Sequence, residues 1–133
     1  MKNFFTLVTL LLVISGVFFV FKKSNPQNSS QNYTPVPAEN VSIEDGVQII
    51  AIRAKGGYSP RTSVAKAGIP TIIRFDSKGT FDCSASVRIP SLKISRSLEF
   101  SGSTDIDLGT PKKGLVRGSC SMGMYPFEVE FQS

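Results

Sequence analysis

Apolar and polar positions divide the chain into three textures. From Phe4 to Phe21 the sequence is uncharged and largely apolar, with Lys2 before it and Lys22-Lys23 after it. As a helix this run would be about 27 Å long at roughly 1.5 Å per residue, enough for the hydrocarbon core of a bilayer. It ends in Phe-Val-Phe-Lys-Lys, with no small-x-small cleavage site and no lipoprotein cysteine behind it, so a retained anchor over residues 1–23 is expected in place of a cleaved signal. Residues 24–41 follow as a tether rich in Ser, Asn, Gln and Pro, with too few apolar residues to bury a core.

From residue 42 to 133 short apolar runs are separated by turn residues, the texture of strands. Val47–Ile52 reads as a largely buried strand, and Gly56-Gly57-Tyr58-Ser59-Pro60 as a turn. Arg61–Val64 is a short extended piece, and Thr71–Phe75 is rich in β-branched residues. Asp76–Ser86 reads as a loop holding Cys83. Val87–Phe100 splits into two extended pieces at Pro90. Thr104–Leu108 and Phe127–Phe131 alternate apolar with polar, the mark of a half-buried strand, and Leu115–Cys120 lies between them. No stretch of this domain sustains a 3.6-residue period. Seven or eight strands at this spacing predict an all-β sandwich, with a small barrel as the other arrangement that fits.

Charge narrows the function. The chain carries a formal +5, and residues 42–133 hold 12 Lys+Arg against 9 Asp+Glu, scattered singly. Without a basic stripe a nucleic-acid role is set aside; the mild positive balance suits an acidic protein partner. The chain has no histidine. Neither cysteine therefore has an imidazole base, and there is no Cys-x-x-Cys pair, so a non-enzymatic protein is expected. Asp105 and Asp107 read as the outward face of a strand, and Asp76 and Asp82 as loop residues, none tied to a site.

The sulfur atoms carry the chemistry. Cys120-Ser-Met122-Gly-Met124 places a thiol and two thioethers within five residues, and Cys83 is the only other cysteine. Thiolate and thioether ligands without imidazole suit Cu(I). Residues at i, i+2 and i+4 of an extended segment share one face, so Cys120, Met122 and Met124 would face one ion. Alternatives stand beside this. The methionines would also serve as core filler. Cys83 and Cys120, 37 positions apart, would also form a disulfide worth roughly 2–4 kcal/mol, and a disulfide excludes copper in the same molecule. Zinc fits poorly, since two cysteines without histidine half-fill a tetrahedral site.

Residues 44 to 131 resemble the cupredoxin family. The resemblance rests on the order of Gly57-Tyr58-Ser59-Pro60, Val64–Pro70, Ile72–Phe75, a loop with Cys83, Ile89-Pro90, Thr104–Leu108, Gly114 and the terminal Cys-x-Met-x-Met. It implies a Greek-key β-sandwich, here preceded by a single transmembrane helix. Blue-copper members use two His, one Cys and a weak axial Met. Here Cys83 falls where the first His is expected and Met122 near the second, so Cu(II) ligands are missing.

The anchor, tether, histidine-free domain and Cys…Cys-x-Met-x-Met together resemble the CupA family of membrane-anchored Cu(I) chaperones of Gram-positive bacteria. That resemblance implies one or two Cu(I) ions per domain, Cys83 and Cys120 as the tight inner ligands, and Met122 and Met124 as the outer cap. It implies transfer to the N-terminal metal-binding domain of a copper-exporting P-type ATPase, and copper resistance. A monomer is expected, single-pass in the cell membrane with its domain on the cytoplasmic face, where thiols stay reduced. The competing function is an outward-facing electron-transfer or copper-storage protein.

Overall fold

Residues 39–133 are described by the computed structural model; the expected anchor and nearly all of the tether lie outside them. Alternation sets the inward faces. Strand β10 (Pro126–Gln132) turns Phe127, Val129 and Phe131 inward and its two glutamates away, and β5 (Thr71–Asp76) does the same with Thr71, Ile73 and Phe75. In β2 (Val47–Ala54) Ile50, Ile52 and Ala54 alternate into the core, while Gln48 and Ile49 are also buried.

Two sheets result. The first runs β1 (Val41–Glu44), β2, β5, β8 (Ser103–Asp107), with the two-residue β3 (Tyr58–Ser59) also paired to β2. The second runs β4 (Thr62–Lys66), β10, β9 (Gly114–Ser119), β6 (Ser86–Ile89), β7 (Ile94–Ser97). β2 lies parallel to β5 and β4 parallel to β10; the other pairs are antiparallel. The two inner faces meet in one core, the packing of a β-sandwich; the small barrel is not formed. Among the described residues there is no α-helix, and no helix long and apolar enough to cross a membrane.

Polar staples hold the layers together. The amide of Gln48, fully buried, donates to Lys66 O at 3.0 Å and Thr71 Oγ1 at 3.0 Å, and accepts from Lys66 N at 2.9 Å. A buried amide left unpaired costs about 1–3 kcal/mol, and here it bridges β2 to the end of β4. Asn40 donates to Ala51 O and Ser63 Oγ, again across the sheets. The sheet thus takes in the last residues of the segment read as tether.

Pro90 interrupts the Val87–Phe100 stretch as expected: a 3-10 turn over Pro90–Leu92 separates β6 from β7. Asp105 faces outward, where it accepts two hydrogen bonds from Arg74, each at 2.8 Å. The pair holds the carboxyl below the ordinary range, through the guanidinium hydrogen bond above all. Both side chains are about two-fifths exposed, so solvent screens the pair and it adds little to stability.

Candidate metal centre

The topology explains why two cysteines distant in sequence meet. β6 and β9 are antiparallel neighbours, with Arg88 opposite Ser119. Cys83 lies just before β6 and Cys120 just after β9, so both fall at the same end of the second sheet. Continuing that register by two residues sets Ser86 opposite Ser121, and their hydroxyls are hydrogen-bonded at 2.9 Å. Cys83 is drawn inward by a 3-10 turn over Cys83–Ala85. The Cα atoms of Cys83 and Cys120 are 5.7 Å apart and their Sγ atoms are joined as a disulfide, a separation normal for such a bond.

Asp82 builds the turn. Its Oδ1 accepts from the Ser84 amide at 2.7 Å and from the Ser84 hydroxyl, and its Oδ2 accepts from the Gly56 amide at 2.8 Å. One carboxylate therefore caps the Cys83 turn and ties it to the bend after β2. The Ser84 hydroxyl, with the two amides adding to it, holds this carboxyl below its ordinary range. A depressed carboxyl stabilises the fold above the unfolded value near pH 4 and loses that contribution as pH falls through the lower folded value. Asp82→Ala is therefore expected to cost about 1 kcal/mol at neutral pH, an ordinary cap. In urea unfolding, the gap between variant and wild type should close in acid below about pH 4; a gap that stays constant overturns this role.

Tyr58 supports the centre from beneath. Its hydroxyl donates to Ser86 O at 2.5 Å, and burial, aided by the nearby Asp82 charge, raises its pKa so that the phenol stays protonated. Its ring packs edge-on against Phe75 and Phe127, at centroid distances of 5.7 and 4.9 Å.

The segment after Cys120 is a turn, contrary to the extended geometry expected from its spacing. Gly123 N donates to Cys120 O at 2.9 Å, closing a four-residue turn in which Gly123 has φ of +73°. Glycine is the residue that adopts such a φ without strain. Cys120 and Tyr125 then close the β9–β10 connection, the Cys120 amide donating to Tyr125 O at 3.1 Å and the Tyr125 amide to Cys120 Sγ at 3.4 Å. An i, i+2, i+4 face does not exist in this geometry. Cys120 is fully buried, whereas Met122 and Met124 are 76% and 59% exposed. Their exposure removes the core-filler reading of the methionines. Met124 borders a cleft of about 280 Å³ with Gly56, Tyr58, Arg61 and Tyr125.

The structure thus brings Cys83 and Cys120 into contact and puts Met122 and Met124 on the adjoining surface turn. Among the described residues no three His, Cys, Asp or Glu side chains converge; the soft donors gathered at this end of the sheet are the sulfurs. Opened to a dithiol, the cysteine pair offers two soft donors within reach of one ion; joined, it offers none. Sequence reasoning passed over Asp82, Ser86 and Ser121 as supports. An Asp two residues before a Ser, as in Asp82-Cys83-Ser84, is the local signal for a capped turn.

No family model matches the chain, and no curated protein matches it. Solved structures do. The metal binding domain of the Streptococcus pneumoniae D39 Cu(I) exporting P-type ATPase CopA, with Cu(I), aligns with a TM-score of 0.64 and 25% identity over 70% of this chain and 93% of that one. A copper binding protein in the apo form, solved by NMR in solution, gives 0.65 and 22% over 71% and 97%. Auracyanin B gives 0.51 and 10% over 73% and 97%. The fold of residues 39–133 is cupredoxin-like.

Proposed function

We propose that this chain is a CupA-like, membrane-anchored Cu(I) chaperone. Cys83 and Cys120 are its tight ligands when reduced, and Met122 and Met124 its exchangeable ones. The observation that carries the reading is the meeting of both cysteines at one end of a cupredoxin-like sandwich, beside two exposed methionines, in a histidine-free chain. Likeness to the CopA metal binding domain, whose structure holds Cu(I), supports copper as the cargo. The proposed receiver is the N-terminal metal-binding domain of a copper-exporting P-type ATPase.

Delivery proceeds by ligand exchange without a change of oxidation state. Cu(I) tolerates two- and three-coordinate sulfur, so a thioether yields without a proton to balance, an incoming sulfur takes its place, and the ion moves toward the better thiolate set. Exposed thioethers place the exchangeable bonds where a partner reaches them. The N-terminal anchor and tether keep the domain near a membrane-embedded pump and raise its effective concentration there, on the cytoplasmic face and as a monomer. Copper resistance is the outcome in the cell.

A Met122→Leu/Met124→Leu double variant is expected to keep the Cu(I) held by the cysteines. It should weaken the outer position by about tenfold or more, at 1.4 kcal/mol per decade. Titration of the reduced full chain in detergent with Cu(I) against a competing chelator reads both. Unchanged affinity at every equivalent removes the methionines from the site.

The joined cysteines favour a second reading, a disulfide-stabilised binding module without metal. Titrating the fully reduced protein with Cu(I) against a competing chelator separates the two, since the module takes up none.

A further inference from the structure

The disulfide between two proposed ligands is asymmetric. Cys120 Sγ belongs to a fully buried residue, whereas Cys83 is partly exposed. The approach to Cys83 is open, since Phe81 is 84% exposed and Asp82 is exposed as well. Hydrogen bonding is unequal too: Cys120 Sγ accepts the Tyr125 amide at 3.4 Å. We propose that Cys83 is a thiol-exchange site, at which a low-molecular-weight thiol opens the Cys83–Cys120 bond, and that only the opened pair accepts Cu(I). The second half rests on the Cu(I) reading above; the first does not.

The exchange balances as follows. A small thiolate attacks Cys83 Sγ in line with the S–S bond. The bond pair leaves with Cys120 Sγ, and a mixed disulfide remains on Cys83. A second small thiolate attacks the outer sulfur of that mixed disulfide, releasing Cys83 as thiolate and the small symmetrical disulfide as product. Two small thiols are oxidised, one protein disulfide is reduced, and the protons distribute according to pH. Attack on Cys83 is favoured by access, since Cys83 is partly exposed and Cys120 is fully buried. The reverse sequence, driven by a small disulfide, closes the gate when the thiol poise around the domain turns oxidising. A closed gate withholds both thiolates from Cu(I), so cargo loading follows the thiol poise around the domain.

The test uses the oxidised full chain in detergent with limiting glutathione, acid quench and peptide mapping. The adduct is expected on Cys83 in about tenfold or greater excess over Cys120, as access directs it. An adduct mainly on Cys120, or equally divided, overturns the proposal. If the mixed disulfide resolves too fast to trap, single variants decide. With glutathione disulfide, Cys83 in Cys120→Ser should be modified faster than Cys120 in Cys83→Ser, and equal rates overturn it. The oxidised and glutathione-reduced preparations are then titrated with Cu(I) against a competing chelator. Uptake confined to the reduced form is expected. Equal uptake by the oxidised form overturns the gate and leaves the chaperone reading intact. Uptake by neither form overturns the copper half together with that reading, while the adduct position still decides the exchange site.

Discussion

Replacing Cys83 by serine is expected to abolish tight Cu(I) binding while leaving the sandwich folded. Serine keeps the size of the side chain but offers no soft donor. Cys120 then remains as the sole thiolate, itself fully buried. Loss of a group that merely orients a metal ligand already costs about 10–100-fold in affinity, so loss of a thiolate ligand itself should exceed about 100-fold. The control has to separate chemistry from stability, because the same substitution removes the disulfide. Closing a loop of 37 residues in separation stabilises by about 4 kcal/mol in the chain-entropy account. The oxidised wild type should therefore resist urea better than Cys83→Ser, whereas the reduced wild type should match it. Cu(I) titration of reduced wild type and Cys83→Ser under a competing chelator compares proteins of like stability. Retained tight binding in the variant removes Cys83 from the site and with it the proposed ligand set.

The strands that were legible in the sequence are those whose two faces meet different surroundings. Phe127–Phe131 and Thr104–Leu108 alternate because one face meets the core and the other water, and both became strands. β1 left no such trace. Three of its four residues, Ser42, Ile43 and Glu44, are exposed on a sheet edge, so neither face imposes a period, and only Val41 adds side-chain packing to its backbone pairing with β2. The two-residue β3 is too short for any pattern to appear.

At the site, residue type was legible and geometry was not. Absence of histidine and the sulfur cluster are properties of composition. That Cys83 meets Cys120 depends on β6 and β9 being neighbours, a tertiary fact that a spacing of 37 neither implies nor forbids. The expected shared face of Cys120, Met122 and Met124 failed because Gly123 permits a turn there, and the hydrogen bond from Gly123 N to Cys120 O closes it. The turn separates a buried sulfur from two exposed ones, the asymmetry on which the proposed ligand exchange draws.

Substitution of Gly118 by alanine is expected to destabilise the domain, and a smaller residue at position 127 should relieve it. Gly118 is inward-facing on β9, two residues before Cys120, and directly opposite Phe127 on β10. A Cβ at Gly118 would lie well inside van der Waals contact with the Phe127 ring. That ring cannot retreat freely. It packs edge-on against Tyr58 and, with centroids 5.5 Å apart, against Phe75. Tyr58 is in turn tied to Ser86 beside the Cys83 turn. Overpacking of this kind costs typically about 1–3 kcal/mol, and truncation of the ring, Phe127→Ala, about 3–5 kcal/mol. Steric conflict and cavity are opposite faults at one contact, so their costs should not add. Gly118→Ala combined with Phe127→Leu is expected to be more stable than the sum of the two single losses, with coupling of about 0.5–3 kcal/mol. Urea unfolding of the oxidised full chain and its variants, followed by circular dichroism, measures the cycle. Additive losses would mean that Gly118 is not held small by the aromatic cluster beneath the cysteines, and that the cluster does not support the site.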